Sequence, residues 1–304
     1  MQRAETTIAG QRAVRVLPAS PREGPPVLLL HGMGLGRWMW ARDQQIWAEL
    51  GLESVAIDLP GHGLDAGRDC GFGEILDAAD AVCKALGSSV VVGHSMGGMV
   101  AQALSQENDL SAMVLVCSLP PGQVNTLPPR QALFAGIKQL RRVARGRHVR
   151  FSKEDYRKTG LNVLGPDTVD EVYAQITEWP RQASMDLLLK RPSVTAPSCP
   201  VLVTYGLQDR VCPPRAARLT GDHYDAVTWR FDDLGHVPPL EPGGERLAQA
   251  VGEWICSPTR RKVVEVDAFS PGEGVGQDVR QQRRPKARPR SHVRRFRRRG
   301  PDPD

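Results

Sequence analysis

Long apolar runs are missing from this sequence. The longest run near its start, Val27–Leu30, is far too short to cross the hydrocarbon core of a bilayer. Residues 1–8 also lack the apolar segment of a secretory signal. We therefore expect a cytoplasmic protein with no integral membrane segment.

Cysteines are few, and their spacing is not that of a metal site. No two of them form a C-x-x-C pair, which argues against a zinc site and against a thioredoxin-like redox motif. Reduced and mostly buried thiols are the expectation for a cytoplasmic chain. The six positions are Cys70, Cys83, Cys117, Cys199, Cys212 and Cys256.

Neither sign of charge is in large excess until the end of the chain. The net charge of the whole sequence is +6, but residues 258–304 alone hold 14 Lys and Arg against 6 Asp and Glu. The preceding residues are therefore close to neutral. The segment 258–304 is rich in Arg, Pro and Gly and has no apolar pattern, so we expect a disordered tail. Nucleic acid or an anionic surface is a possible partner for it, but the segment resembles no nucleic-acid-binding fold.

Short β-branched runs alternate with helical patterns over residues 1–119 and 197–257. Continuous buried strands separated by helices indicate an α/β fold with a mostly parallel, doubly wound sheet covered on both faces. Residues 120–196 interrupt this rhythm, because proline clusters bound them and the pattern between is helical. We interpret residues 120–196 as a helical cap inserted between the two parts of the core.

The strongest chemical signal is a G-x-S-x-G motif over Gly93–Gly97, centred on Ser95. It directly follows the predicted strand Val90–Val92 and opens a predicted helix, which is the context that a nucleophilic serine of this motif requires. A glycine-rich turn with an incidental serine is the alternative. The context favours Ser95 as a nucleophile.

A serine nucleophile needs a base, and the base needs an acid to orient it. Where this motif is catalytic, the acid and then the histidine follow the serine along the chain. His236 lies in the loop that follows the last predicted strand, Val227–Phe231, and Asp209 follows the strand before it. We predict Asp209 as the acid, with Asp232 and Asp233 as the fallback.

The glycine-rich loop His31–Gly36 follows the strand Val27–Leu30. It lacks the Lys-Ser/Thr of a P-loop, so we interpret it as one side of an oxyanion hole. The predicted donors are the backbone N–H groups of Met33 and Met96. The predicted substrate-binding residues are Gly32, Trp38 and Met99, although plain packing explains Trp38 and Met99 as well.

Together these motifs resemble the α/β-hydrolase superfamily, and in particular its small, capped bacterial carboxylesterases. The resemblance covers about residues 1–257 and includes a segment, Asp58–Gly63, that in such proteins shapes the loop behind the active site. It implies hydrolysis of a small-molecule ester or acyl substrate without a metal or organic cofactor. A thioesterase, a C–C bond hydrolase and a non-catalytic receptor on the same fold remain alternatives.

The cap contains a strongly basic stretch, Lys138–Arg150. Acidic substrates, an acyl-carrier protein or an anionic surface are possible partners for such a stretch. A solvated helix face is the simpler interpretation.

Overall fold

The structure is a computed structural model that describes residues 1–127 and 129–258. The predicted basic tail lies outside the described residues, apart from Pro258. Eight strands form one sheet in the order β1-β2-β4-β3-β5-β6-β7-β8. Strand β2 pairs antiparallel with β1 on one side and with β4 on the other. From β4 to β8 in this order, all neighbouring strands are parallel. The strands are β1 Gln2–Ile8, β2 Gln11–Leu17, β3 Val27–Leu30, β4 Ser54–Ile57, β5 Val90–His94, β6 Ala112–Val116, β7 Val201–Gly206 and β8 Val227–Phe231.

The central strands form because their side chains are apolar on both faces. Every residue of β3, β5 and β6 is buried. Side chains that alternate along a strand point to opposite faces, so Leu28 and Leu30 enter one core cluster while Val27 and Leu29 enter the other. A sheet with a core on each side is the predicted doubly wound architecture, and this prediction is confirmed.

Helices cover both faces of the sheet. Helices α2, α3, α7 and α8 contribute to the first core cluster, and α1, α6 and α9 contribute to the second. The helices of the described residues are α1 Ala41–Glu49, α2 Phe72–Leu86, α3 Met96–Leu104, α4 Arg130–Ala144, α5 Lys153–Lys158, α6 Pro166–Gln175, α7 Arg181–Leu189, α8 Pro214–Tyr224 and α9 Gly244–Cys256.

The chain between β6 and β7 holds four helices, α4 to α7, and its described residues contain no strand. One isolated bridge pairs Val149 with Trp179 across this segment. The division at 119/120 and 196/197 into core and cap stays a prediction, but the helical character expected for 120–196 is what the structure has there.

Two boundaries differ from the sequence-based expectation. The sequence pattern predicts one helix over Trp38–Leu50, but this segment starts as a short 3-10 turn, Arg37–Trp40, because Trp40 leaves helical geometry before α1 begins. Strand β5 continues past Val92 to His94, because Gly93 and His94 still pair with β6. This extension brings the strand to within one residue of Ser95.

The expectation of mostly buried cysteines agrees with the structure, in which every cysteine but Cys256 is buried. No helix within residues 1–127 and 129–258 has the length and apolar character needed to cross a bilayer.

One buried carboxyl in α1 opposes folding at neutral pH. Asp43 is 1% exposed, and neither of its carboxylate oxygens has a hydrogen-bond partner. Burial without partners disfavours the charged form and raises the pKa of Asp43 from 3.8 to about 7. The folded chain therefore holds this proton more tightly than the unfolded chain does.

We expect Asp43→Asn to stabilise the protein at pH 8 by roughly 1–3 kcal/mol, because a neutral amide avoids the cost of burying a carboxylate charge without partners. The sign follows from the raised pKa. The favourable contribution of the protonated carboxyl is complete below about pH 3.8 and is lost as the pH rises through about 7. Urea unfolding at pH 5 and pH 8 measures the effect, and the gain from the amide should be much smaller at pH 5. Asp77→Asn, at an exposed position of α2, is the control. An equal gain at both pH values would contradict this account.

Candidate active site

The serine of the G-x-S-x-G motif sits on a strained turn between β5 and α3. Ser95 has a positive φ of 52°, in a region that residues other than glycine rarely occupy. A Cβ on Gly93 would overlap the carbonyl oxygen of Gly97, and a Cβ on Gly97 would overlap the carbonyl oxygen of Leu30. The two glycines are thus required by backbone packing, and together they hold Ser95 at the carboxyl end of the sheet.

Ser95 lies in a hydrogen-bonded chain with His236 and Asp209. The His236 Nε2 atom is 3.1 Å from Ser95 Oγ, and His236 Nδ1 is 3.0 Å from Asp209 Oδ2. A carboxylate only accepts, so Nδ1–H donates to Asp209 and leaves the Nε2 lone pair for the serine hydroxyl. All three residues are buried. The structure therefore brings together the three residues that the sequence predicts as catalytic.

Asp209 is held in place by the backbone that follows it. Its second oxygen, Oδ1, accepts hydrogen bonds from the N–H groups of Val211 at 2.8 Å and Cys212 at 2.9 Å. The fallback acids are exposed and engaged elsewhere: Asp232 pairs with Arg230, and Asp233 pairs with Arg246. Asp209 is the carboxylate that reaches His236.

The histidine within the G-x-S-x-G motif, His94, supports the loop that contains His236. His94 is fully buried, and its Nε2–H donates to the backbone carbonyl of His236 at 2.7 Å. Its ring packs on the ring of His236, with centroids 4.9 Å apart. Burial holds the pKa of His94 well below its ordinary value, so the ring stays neutral beside the base.

Two further buried histidines, His31 at the start of the glycine-rich loop and His62 beside it, are neutral at pH 7. Burial lowers the pKa of His31 to about 4 and the pKa of His62 to about 3. His31 Nε2 accepts the N–H of Leu59 at 3.0 Å, and its Nδ1–H donates to the carbonyl of Gly32 at 2.8 Å. These bonds tie the loop after β3 to the segment Asp58–Gly63.

The sequence analysis missed Glu241, which organises the backbone on both sides of His236. This carboxylate is fully buried and accepts hydrogen bonds from Gly235 N at 2.6 Å and Val237 N at 2.9 Å. Burial raises the pKa of Glu241 to about 6, although the two N–H donors oppose the shift. The signal was weak, since a lone glutamate after Pro238–Leu240 does not reveal that the 3-10 turn there folds it back.

The predicted oxyanion donors lie on the two loops that flank Ser95. Met96 N is at the first turn of α3, and Met33 N is in the loop after β3. Within the described residues, neither amide donates to a backbone carbonyl, which leaves both able to bind an oxyanion. A Cβ on Gly32 would lie 2.7 Å from His94 Nδ1 and 3.1 Å from Ser95 Cβ. The absence of a side chain at Gly32 therefore allows this loop to approach the serine.

The other predicted substrate-binding residues are placed differently. Trp38 is half-buried and packs near Gly36. Met99 is fully buried in the core cluster that contains α2 and α3, so its side chain faces no space that a substrate could enter. The plain-packing interpretation therefore fits Met99.

Cap residues reach both loops of the site. Trp179 packs against Gly34 beside the oxyanion loop, and Thr177 N donates to the Gly34 carbonyl at 2.9 Å. Gly160 lies next to His236, close enough that a Cβ there would be 3.8 Å from its ring. Trp179 also belongs to an aromatic cluster of the cap that sequence reasoning did not identify. Its members are Phe151, Tyr156, Tyr173 and Trp179.

Among the described residues, one group has the composition of a metal site. The ligand atoms of Asp209, Cys212 and His236 lie within 4.8 Å of one another. An ion there would take a nitrogen of His236 that is hydrogen-bonded to Asp209 or Ser95, and burial raises the pKa of Cys212 so that it remains a thiol. The arrangement fits a hydrogen-bonded acid–base group rather than a resident metal.

Known proteins share this fold and these motifs. The sequence profile of the alpha/beta hydrolase family matches residues 27–250, which is most of the chain. The chain therefore belongs to the alpha/beta hydrolase family. The resemblance predicted from the motifs is thus confirmed.

Individual relatives are more distant. The chain is 28% identical over 237 residues to a pimeloyl-[acyl-carrier protein] methyl ester esterase of Chromobacterium violaceum, covering 72% of this chain and 89% of the relative. An esterase from Thermogutta terrifontis superposes with a TM-score of 0.64 at 24% identity, over 84% of this chain and 98% of that one. A 2-hydroxy-6-oxo-6-phenylhexa-2,4-dienoate hydrolase from a Rhodococcus species gives a TM-score of 0.65 at 18% identity, over 84% and 99%. At such identities the two structures establish the shared fold.

We expect Glu241→Gln to lower kcat about 10- to 100-fold, the range that a small misplacement of a reacting group produces. A glutamine offers one accepting oxygen, so its amide N–H₂ would face one of the two N–H groups that Glu241 now binds. Steady-state kinetics with an activated ester, together with thermal unfolding, separates this effect from a loss of fold. Glu245→Gln, at an exposed position in the first turn of α9, is the control. A kcat equal to that of the control would show that Glu241 does not position His236.

Proposed function

We propose that this chain is a serine hydrolase that cleaves a carboxylic ester through an acyl-enzyme intermediate. The observation that carries the proposal is the buried chain of hydrogen bonds from Asp209 through His236 to Ser95, at the end of a strand–turn–helix elbow. A serine hydroxyl becomes a useful nucleophile when a base stands within hydrogen-bond reach, and here that base is already oriented by an acid.

In the first half of the reaction, His236 Nε2 takes the proton of Ser95 Oγ while the oxygen attacks the ester carbonyl. The carbonyl oxygen becomes an oxyanion, which the N–H groups of Met33 and Met96 bind. Asp209 stabilises the imidazolium that forms and keeps its proton. His236 then gives the transferred proton to the leaving alcohol, and the acyl group remains on Ser95.

In the second half, water repeats the sequence on the acyl-enzyme. His236 takes a proton from the water as its oxygen attacks the acyl carbonyl, and the same two N–H groups hold the second oxyanion. Collapse of this intermediate returns the proton to Ser95 Oγ and releases the carboxylic acid. Every proton in the cycle moves through one nitrogen, so no metal or organic cofactor is required.

An ester is the proposed substrate for two reasons. The relative from Chromobacterium violaceum is named as a methyl ester esterase, and its match extends over 89% of its own length. The cap also places an aromatic cluster beside the oxyanion loop, which supplies an apolar wall for an acyl chain. Thioester and C–C bond hydrolysis use the same three residues, so the substrate has to be tested directly.

The first test combines a fluorophosphonate probe with a substrate panel. We expect the probe to label the folded protein and Ser95→Ala to abolish labelling, because only an activated serine reacts. Ser118→Ala is the control, since Ser118 is a buried serine two residues after β6 and is hydrogen-bonded to Gln102 rather than to a base. Absence of labelling on folded protein would support a non-catalytic receptor.

The panel consists of p-nitrophenyl esters of increasing acyl length, acyl thioesters and a dienone C–C substrate. Turnover of esters that is lost in Ser95→Ala supports the proposal. Turnover of a thioester or the dienone with none of any ester would refute the ester assignment and keep the serine mechanism.

The acid is tested separately by Asp209→Asn, which we expect to lower kcat by roughly 10⁴-fold with the fold intact. An asparagine can donate to Nδ1 of His236, which moves the ring proton to Nε2 and removes the base. Asp232→Asn and Asp233→Asn are matched controls that should cost little, because both carboxylates are exposed and pair with arginines. Near-normal turnover in Asp209→Asn combined with a large loss in Asp233→Asn would make the acid assignment wrong.

A further inference from the structure

Helix α4 of the cap buries one side and exposes large apolar side chains on the other. Ala135 and Gln139 face inward. Residues three, four and seven positions apart share a helix face, so the exposed apolar residues form one ridge. Their exposed fractions are 48% for Leu133, 64% for Phe134, 51% for Ile137 and 55% for Leu140. We call these four residues the α4 ridge.

Positive charge accompanies the ridge, and negative charge is missing from it. From Arg130 to Arg150 the chain has no Asp or Glu. Some of its cations are already paired within the cap, such as Lys138 with Asp155 at 2.5 Å. Three others, Arg130, Arg141 and Arg145, are exposed, and no carboxylate among the described residues forms an ion pair with them.

The cations lie on the Phe134 side of the ridge. At 100° per residue, Arg130, Arg141 and Arg145 fall within about 60° of one another, with the first two between Ile137 and Phe134 in projection along the helix axis. We call these three cations the basic flank. A solvated surface helix would carry polar side chains on this face. A convex helix with an apolar ridge and a basic flank suits the boundary of an anionic bilayer, where apolar groups enter the acyl layer and cations meet lipid phosphates.

We propose that the α4 ridge and its basic flank dock this protein onto an anionic lipid surface. The inference concerns the outer side of the cap and is independent of the reaction at Ser95. A lipid surface is favoured over an acidic protein because the apolar side chains form a convex ridge on a single helix, which needs no complementary groove.

Docking at α4 would also involve the part of the cap nearest the active site. The Lys138–Asp155 pair ties α4 to α5, and Val149, just beyond α4, exchanges backbone hydrogen bonds with Trp179. Trp179 packs on Gly34 in the oxyanion loop. Helix α4 is thus linked through these contacts to the loop after β3.

The test is hydrogen exchange measured by mass spectrometry on the full chain, with and without vesicles. Phosphatidylcholine vesicles are compared with vesicles that also contain phosphatidylglycerol. A local readout is needed because residues 259–304 are strongly basic and could bind anionic vesicles by themselves. We expect the anionic vesicles to protect peptides covering 130–145, the neutral ones to protect them far less, and added salt to weaken the protection.

Paired substitutions separate the apolar and electrostatic parts. We expect Phe134→Gln with Ile137→Gln to weaken anionic-vesicle binding through α4 about tenfold, because two exposed apolar side chains no longer enter the bilayer. Arg141→Gln with Arg145→Gln should weaken it about fivefold for each cation removed. Arg215→Gln with Arg218→Gln, at exposed positions of α8, is the matched control and should leave the α4 protection unchanged.

The overturning results are equally concrete. Protection confined to residues after 258, or unchanged α4 protection in the Phe134/Ile137 variant, would rule out docking through the ridge. Protection of α4 by an acidic carrier protein without lipid, and none with vesicles, would replace the lipid by a protein partner.

Discussion

The close approach of backbone segments at the turn between β5 and α3 is the constraint on which the rest of the site depends. Gly93, Gly97 and the backbone of β3 are so near one another that no side chain fits at either glycine. The strain at Ser95 persists because the parallel strands on both sides and the buried helix α3 over-determine its position. Packing of the whole sheet therefore brings the serine hydroxyl within hydrogen-bond reach of His236 and sets the first amide of α3 directly after the serine.

The second constraint is electrostatic, because the groups around the proposed base are nearly all buried. Burial keeps the rings of His31, His62 and His94 neutral. Each ring donates its N–H to a backbone carbonyl. The carboxylate of Asp209 remains acceptable in this setting because two backbone N–H groups and the His236 ring surround it. The acidic groups that remain next to His236 are then Asp209, which binds its ring, and Glu241, which binds the backbone on both sides of it.

The cap has two sides with different physical demands. Its inner side meets the loop after β3 and the loop of His236 through Trp179 and Gly160. Its outer side exposes the α4 ridge beside arginines that form no ion pair with a carboxylate of the described residues. The segment between β6 and β7 thus carries both the wall of the proposed substrate site and the proposed lipid-facing surface.

The sequence by itself determined the α/β architecture and the three residues of the proposed triad. Their signals are local: continuous apolar runs such as Val27–Leu30, a glycine-flanked serine after a strand, and an acid and a histidine at successive strand ends. Only the tertiary structure decided the rest. Glu241 reaches Gly235 and Val237 because a short turn folds back, and His94 meets the carbonyl of His236 across 142 residues. Met99 and Phe134 show the same limit from opposite sides, since both are large and apolar, yet one is fully buried and the other is 64% exposed. The burial of a side chain depends on which elements pack against it, and a local sequence pattern does not specify contacts between residues that are far apart along the chain.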